Sequence, residues 1–543
     1  MISIYFPSPI KTLKLFNRFK LKMVLPLIAV VFTFSCESSK EQTPAKVLDI
    51  HDEITIEDIQ KAYTNGAYSI KDLTQFYLDR IENLSFNGPQ LNAVITVNPD
   101  AMAIATQLDD DMQNGIVRGP LHGIPVLLKD NIDTGDKMPC TAGARPMSDS
   151  YPLQDSPLAA QLREAGAVIL GKANLSEWAN FHSTYSSSGW SGLGGQTKNP
   201  YDVTRNPCGS SSGSGVAVAA NLCVIAIGTE TNGSIVCPSN NNGIVGIKPT
   251  VGLISRRGII PISFSQDTGG PMARTVKDAA ISLGALTATD TLDSSTLSPD
   301  RITHKDYTPF LKTDGIKGKV IGYWKSPLGN HVRMTKVMEE AVAYFKSQGA
   351  TIVELEQVMD PKAGQHSSTV LYHEFKDGLN TYLEGLGAQR KVRDLEDLMK
   401  QTLSDSIEMR YFDHQRMNAA LSKGPLDSDA YKEALKSMHR MAREEGIDKI
   451  MDEHDLDAII APTGSPAWKT DLTNGDNFGI FSSSPAAIAG YPNITVPMGH
   501  LDGLPVGLSI FGRAWSEPVL LEIAYSYEQG TRKRFTPKYL NAE

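Results

Sequence analysis

Between residues 208 and 234 the chain carries two glycine-flanked serine loops, "CGSSSGSG" (208–215) and "GTETNGS" (228–234), separated by "VAVAANLCVIAI". The separator is apolar and long enough for one helix and one strand. A short helix–strand excursion of that kind brings Ser210 and Ser234 side by side. Upstream, "GIPVLLKDNID" places a lone Lys129 at the end of an apolar run, where the chain leaves a buried strand for a polar loop. A serine nucleophile needs a base, and no histidine lies within twenty residues of either serine. A desolvated lysine can act instead, because burial lowers its pKa and leaves a neutral amine.

Other readings of these residues are weaker. "GSSSG" (209–213) formally matches the G-x-S-x-G nucleophile elbow with Ser211 as nucleophile, a cheap match in a Ser/Gly run. That elbow needs an acid and a histidine downstream, and none of His304, His331, His366, His373, His414, His439, His454 or His500 has a signature around it. A phosphate cradle would need Gly-Lys-Ser/Thr, which does not follow. A solvated strand-end lysine is the commoner fate of a residue like Lys129, and a turn serine that of Ser234. Against the second, Thr231, Asn232, Gly233 and Ser234 supply consecutive backbone N–H groups, a nest suited to a developing oxyanion.

Around this core the pattern alternates. "TIEDIQKAYTNGAYSIKDLTQFYLDRIENL" (55–84) predicts two helices, with N-cap spacing at Thr55/Asp58 and Ser69/Asp72 and one apolar face through Ile70, Leu73, Tyr77 and Ile81. "SPLAAQLREAGAVILG" reads as helix, glycine stop and strand; "GKVIGYW", "KVMEEAVAYFKSQG" and "TIVELE" form a βαβ-like unit. Alternation predicts an α/β fold with a mixed, mainly parallel sheet and helices on both faces. At 543 residues, length alone suggests several domains. The continuous pattern instead gives one unit over 51–535, with a surface excursion at 285–315 and a helical, charged insertion at 365–455 that could cover a cleft.

The first 35 residues hold Lys11, Lys14, Arg18, Lys20 and Lys22, no acid, and an apolar run from Met23 to Phe34 that stops at Cys36. This is an export signal, and "TFSC" resembles a bacterial lipobox, which implies cleavage and lipidation at Cys36. Residues 36–50 then read as a polar tether. The alternatives are a plain cleaved signal or an uncleaved anchor. Without those five cations the chain has 47 Lys+Arg against 61 Asp+Glu, a net charge of −14. An acidic surface argues against a nucleic-acid partner. No pair among Cys140, Cys208, Cys223 and Cys237 has metal-ligand spacing. In an exported protein Cys208 could be oxidised with Cys223 or Cys237, and the sequence does not choose.

The segment "CGSSSGSGVAVAANLCVIAIGTETNGSIVCPSNNNGIVGIKPT" resembles the signature segment of the amidase signature family, and "GKANLSEWANF", "SQDTGGPMARTVKDAA", "DAIIAPT" and "GLPVGLSIFGR" resemble its flanking blocks. The resemblance runs from about residue 55 to about 530. "LSEWANF", "TETNGSIVCP" and "GIIPISFSQDTGGPMAR" are most similar to the peptide amidase branch, which removes C-terminal amides from peptides. It implies Lys129 as catalytic lysine, Ser210 as a bridging serine held by a cis peptide, Ser234 as nucleophile, and residues 231–234 as the oxyanion loop. It implies amide hydrolysis of a small-molecule or peptide substrate, with neither metal nor cofactor. The sequence departs from the family at Cys208, Ser212 and Asn232, where many members have Gly, and at Val236, where many have Arg. Asn232 is then expected to tolerate an unusual φ. Two other classes are an amidotransferase-type glutaminase subunit, which the export signal opposes, and a catalytically silent ligand-binding lipoprotein.

Overall fold

The computed structural model describes residue 50 and residues 52–539. The export segment, Cys36 and most of the tether therefore lie outside the described residues. Residues 52–539 belong to one compact unit.

Eleven strands build the central sheet: β1 (Val94–Val97), β2 (Pro125–Lys129), β3 (Val168–Ala173), β4 (Ile225–Glu230), β5 (Val245–Lys248), β6 (Thr268–Ala273), β7 (Val320–Trp324), β8 (Thr351–Leu355), β9 (Ala458–Pro462), β10 (Asn493–Leu501) and β11 (Leu504–Phe511). Their spatial order is β1-β3-β2-β4-β6-β5-β10-β11-β9-β7-β8. The sheet is mixed and flanked by helices. Parallel pairing sits in two wings, β3-β2-β4 and β9-β7-β8. The centre and the β1 edge are antiparallel. The expected βαβ unit is the second wing, where β7 and β8 flank the helix Val332–Ser347. The antiparallel centre is not visible in the pattern because β6 reads "TGGPMA", with no β-branched residue after Thr268. Those glycines are there for closeness: a Cβ on Gly270 would lie 2.1 Å from the Ile247 carbonyl oxygen.

The predicted N-terminal helices form over Ile56–Thr64 and Ile70–Arg80, each with a complete capping box, Thr55/Asp58 and Ser69/Asp72. Ile70, Leu73, Tyr77 and Ile81 are buried on one face, as the periodicity requires. Segment 285–315 is irregular, with short 3₁₀ turns at Ser294–Leu297 and Thr308–Phe310. It is not a purely surface excursion: Tyr307 is fully buried, and Asp290 and Asp293 bind Arg257 and Arg256.

Residues 363–453 are helical: Ala363–Gly385, Leu395–Ser404, Gln415–Leu421, Asp429–Ala442 and Asp448–Glu453. Phe375, Leu379, Leu395, Leu398 and Met417 make a second core with Trp178, Phe181, Ile260 and Ile262. The insertion is thus packed onto loops that leave the sheet, and its helices can supply the wall of a cleft.

Candidate active site

β2 and β4 are parallel neighbours in register, Leu127 beside Ala226 and Leu128 beside Ile227. Both therefore leave the sheet at the same edge, β2 ending in Lys129 and β4 in Thr229 and Glu230. Carboxyl ends of parallel strands are where open α/β sheets place their ligands. Antiparallel β6 begins at that edge, with Thr268 opposite Glu230, so Asp267 is delivered to the same place.

The helix–strand excursion does what its length predicts. The helix Ser212–Ala219 follows the first serine loop and β4 returns to the second. The Ser211 N–H donates to the Ser234 carbonyl (3.1 Å), joining the loops directly. A disulfide between Cys208 and Cys237 joins them again, with Cα atoms 5.8 Å apart. The structure thus chooses Cys237 over Cys223, which stays a free, buried thiol like Cys140.

Lys129 is fully buried. Its Nζ donates to Ser210 Oγ (2.8 Å), Thr229 Oγ1 (2.8 Å) and the Thr229 carbonyl (3.2 Å). Asn131 Nδ2 donates to the same threonine hydroxyl (3.0 Å). Burial pulls the amine down to about 7, opposed by the charges of Asp267 and Glu230. The two acids that follow Lys129 in sequence are turned away from it. Asp130 accepts from the Thr141 hydroxyl and Asp133 from Tyr382 OH (2.8 Å). Among the described residues no carboxylate hydrogen-bonds the amine, and in its neutral form its two protons suit the Thr229 oxygens while its lone pair faces the Ser210 hydroxyl. The Gly209–Ser210 peptide is cis, as the resemblance implies, and the Ser210 carbonyl accepts from Ser176 N–H (3.0 Å).

Ser234 lies at the floor of a cleft of about 680 Å³, with Thr231, Asn232 and Gly233 beside it. Lys129 and Ser210 sit behind that floor. Ser234 Oγ and Ser210 Oγ are not hydrogen-bonded in this conformation, an arrangement common in apo sites that tighten on substrate binding.

The second loop differs from the sequence reading in two respects. Gly233 cannot offer its N–H to an oxyanion, because that group donates to Glu230 Oε1 (2.7 Å). The other oxygen of Glu230 takes Ile235 N–H (2.8 Å) and Val236 N–H (3.1 Å). The open donors are therefore Thr231, Asn232 and Ser234. The left-handed turn falls on Gly233 (φ 84°), so Asn232 needs no unusual φ. Its side chain instead bridges the loop to the cleft rim, accepting from Ser483 Oγ (2.7 Å) and donating to Ser484 Oγ (3.2 Å). Thr231 is fixed by donating its hydroxyl to Asp267 (2.6 Å). Ser211 Oγ donates to the Thr229 carbonyl (3.0 Å) and accepts from the Thr229 N–H (3.2 Å), so it braces β4 and is not aimed at the cleft.

Sequence reasoning does not single out Thr229, Asn131, Glu230 or Asp267. Asn131, two residues beyond Lys129 in "KDNID", and Thr229, at the start of the second loop, carry the only available signal: polar residues beside a buried amine. The cleft walls come from distant segments, Phe181, Trp324, Tyr372, Arg416, Phe478 and Phe481 among them.

A family model described as Amidase matches residues 72–521. The chain belongs to the amidase family. A probable amidase of Arabidopsis thaliana is 38% identical, covering 96% of this chain and 98% of that protein. The solved native peptide amidase from Stenotrophomonas maltophilia is 47% identical, with a TM-score of 0.86, covering 90% of this chain and 99% of that one. A component of the glutamyl-tRNA(Gln) amidotransferase from Thermoanaerobacter pseudethanolicus is 33% identical, covering 89% of this chain and 98% of that protein. The fold is that of amidase-signature proteins, and the protein is an amide carbon–nitrogen hydrolase.

Proposed function

We propose that this amidase cleaves carboxamides, C-terminal peptide amides among them, by a Ser234–Ser210–Lys129 relay. The observation that carries the reading is the Lys129 amine, fully buried, unpaired by any carboxylate among the described residues, and 2.8 Å from Ser210 Oγ. As a neutral base it takes the Ser210 proton while Ser210 takes that of Ser234. Ser234 Oγ attacks the carbonyl carbon, and the N–H groups of Thr231, Asn232 and Ser234 receive the charge on its oxygen. The relayed proton goes to the departing ammonia or amine. Water enters by the same relay, releases the carboxylic acid and restores Ser234.

The peptide-amide preference is supported by the likeness to the Stenotrophomonas peptide amidase and by a cleft of about 680 Å³ with Phe181, Tyr372, Phe478 and Phe481 in its walls. Ammonia release from peptide amides, fatty amides, aryl amides and free glutamine, with Ser234→Ala as blank, tests it. Fastest turnover of peptide amides is expected. Turnover of glutamine alone would move the protein to the amidotransferase type, and none at all to a silent binder.

We further propose export and lipid anchoring at Cys36. The basic start, the apolar run and "TFSC" support this, as does the Cys208–Cys237 bond, which persists in oxidising compartments. Among the described residues no helix is long and apolar enough to cross a membrane. Cys36→Ser is expected to abolish lipid labelling and release the protein from membranes. Wild-type protein found free of lipid in the soluble fraction would contradict the anchor.

A further inference from the structure

Beneath the cleft wall lies a second cluster of chemistry that the amide reaction does not use. Glu177, Glu408 and His414 are each at most 1% exposed. One ligating atom from each lies within 4.8 Å of the others. The carboxylates share a design. Glu177 spends Oε2 on the Gly192 N–H (2.7 Å) and Glu408 spends Oε1 on the Arg145 N–H (2.6 Å). The second oxygen of each, Glu177 Oε1 and Glu408 Oε2, receives no N–H or O–H from any other described residue, and the two carboxyl groups can hydrogen-bond each other only if one of them holds a proton. Both ring nitrogens of His414 are also without one, and its Nε2 lies 3.9 Å from Glu177 Oε1. The nearby guanidinium groups are engaged elsewhere, Arg145 with Asp405 (2.8 Å) and Arg416 with the Ser183 carbonyl (3.0 Å).

Two carboxylates side by side in a dry interior need something positive between them. A shared proton would serve the carboxyl groups and leave the imidazole unserved. A divalent cation serves all three. We propose that Glu177, Glu408 and His414 supply three protein ligands to a divalent cation of the zinc type, with the fourth position left to a water molecule. Two carboxylate oxygens and one imidazole nitrogen are a donor set suited to Zn²⁺, whereas Ca²⁺ and Mg²⁺ prefer oxygen alone. The backbone N–H on the far oxygen of each carboxylate fixes its direction, as outer partners of metal ligands do. Atoms no more than 4.8 Å apart share a centre within about 2.8 Å of each. Bonds of about 2.0–2.2 Å then require each ligand to move inward by roughly 0.6–0.8 Å.

The position gives the ion a purpose. Glu177 opens the segment that carries Ala179, Asn180 and Phe181 into the cleft, and Trp178, Ala179 and Asn180 all hold left-handed φ values (49°, 52° and 68°). Left-handed backbone at three successive non-glycine residues persists only where the surroundings impose it. His414 immediately precedes the helix Gln415–Leu421, whose Arg416 lies over the Phe181 ring at 5.8 Å. The cation would pin both sides of that wall without touching the relay.

The test is metal content, which is independent of turnover. Untagged wild-type protein is purified without chelator, dialysed against Zn²⁺, and measured by inductively coupled plasma mass spectrometry. About one zinc per chain is expected, with Co²⁺ giving the visible absorption of an N/O-ligated site in its place. Glu408→Gln and His414→Asn, checked for folding by circular dichroism, are expected to lose at least ~10-fold in zinc affinity. Wild-type protein that takes up neither Zn²⁺ nor Co²⁺ would overturn the site and leave the shared proton as the explanation. Folded variants that bind as wild type does would equally overturn it. The wild-type measurement decides the matter even where a variant fails to fold.

Discussion

Replacing Lys129 by arginine separates the charge of the residue from its basicity. Burial brings the amine from 10.5 to about 7. At pH 7.5 the neutral fraction then rises from roughly 0.1% to roughly three quarters, close to 10³-fold more active base. Log kcat/KM should accordingly climb with unit slope below pH ~6 and level off above pH ~8. Arginine cannot lose its proton, so Lys129→Arg should cost on the order of 10²–10⁴ in rate and erase that limb. The same burial acts on stability with a definite sign. Between pH 7 and 10.5 the unfolded lysine holds a proton that the folded one has released, so stability rises with pH across that window. Below it, the buried amine costs on the order of 5 kcal/mol, the drop from 10.5 to about 7 expressed as free energy. Lys129→Met, of similar length and apolar, should be inactive yet melt higher at pH 6, with the gain fading toward pH 10. The assays are pH–rate profiles on a peptide amide and calorimetry at several pH values. Near-normal turnover by Lys129→Arg, or a profile flat from pH 5 to 9, would refute the neutral-base reasoning.

Two further outcomes follow from the geometry. Asp267→Asn can still accept from the Ile262 and Ser263 N–H groups through Oδ1 and donate from Nδ2 to the Thr231 hydroxyl, the reverse of the native bond, but it removes a charge that favours protonated Lys129, so the acidic limb should move to lower pH; an upward or absent shift in the profile would contradict the assignment. Cys208 and Cys237 are 29 residues apart, and a loop of that size is worth about 3–4 kcal/mol in the chain-entropy treatment, so the double serine variant should melt several degrees lower without losing Ser234 reactivity; an unchanged melting temperature would count against it.

The proposed relay is legible because its residue types are unusual for their positions: a lysine closing an apolar run and serines on glycine-flanked loops. What surrounds it is not. Glu230 reads in sequence as an ordinary loop acid, yet its carboxylate gathers three N–H groups of the following turn and removes Gly233 from the oxyanion donors. Only the folded turn reveals that competition. The centre of the sheet is hidden because β6 relies on glycine for close packing, which erases the alternation that marks a strand. The cleft walls combine residues as far apart as Phe181 and Phe481, and local periodicity carries no information about such a meeting. The cysteine pairing stays open in sequence for the same reason. Cys223 and Cys237 are similar in sequence context, and only the packing of the former into the main core and of the latter beside Cys208 tells them apart.

The claim on which the rest depends is that Ser234, and not its loop neighbour Ser211, is the nucleophile. A serine-reactive fluorophosphonate followed by peptide mass spectrometry tests it most directly, on the wild type and on Ser211→Ala and Ser234→Ala. One adduct is expected, on Ser234, retained in Ser211→Ala and absent from Ser234→Ala, with turnover following the label. An adduct on Ser211, or labelling and turnover that survive Ser234→Ala, would contradict it.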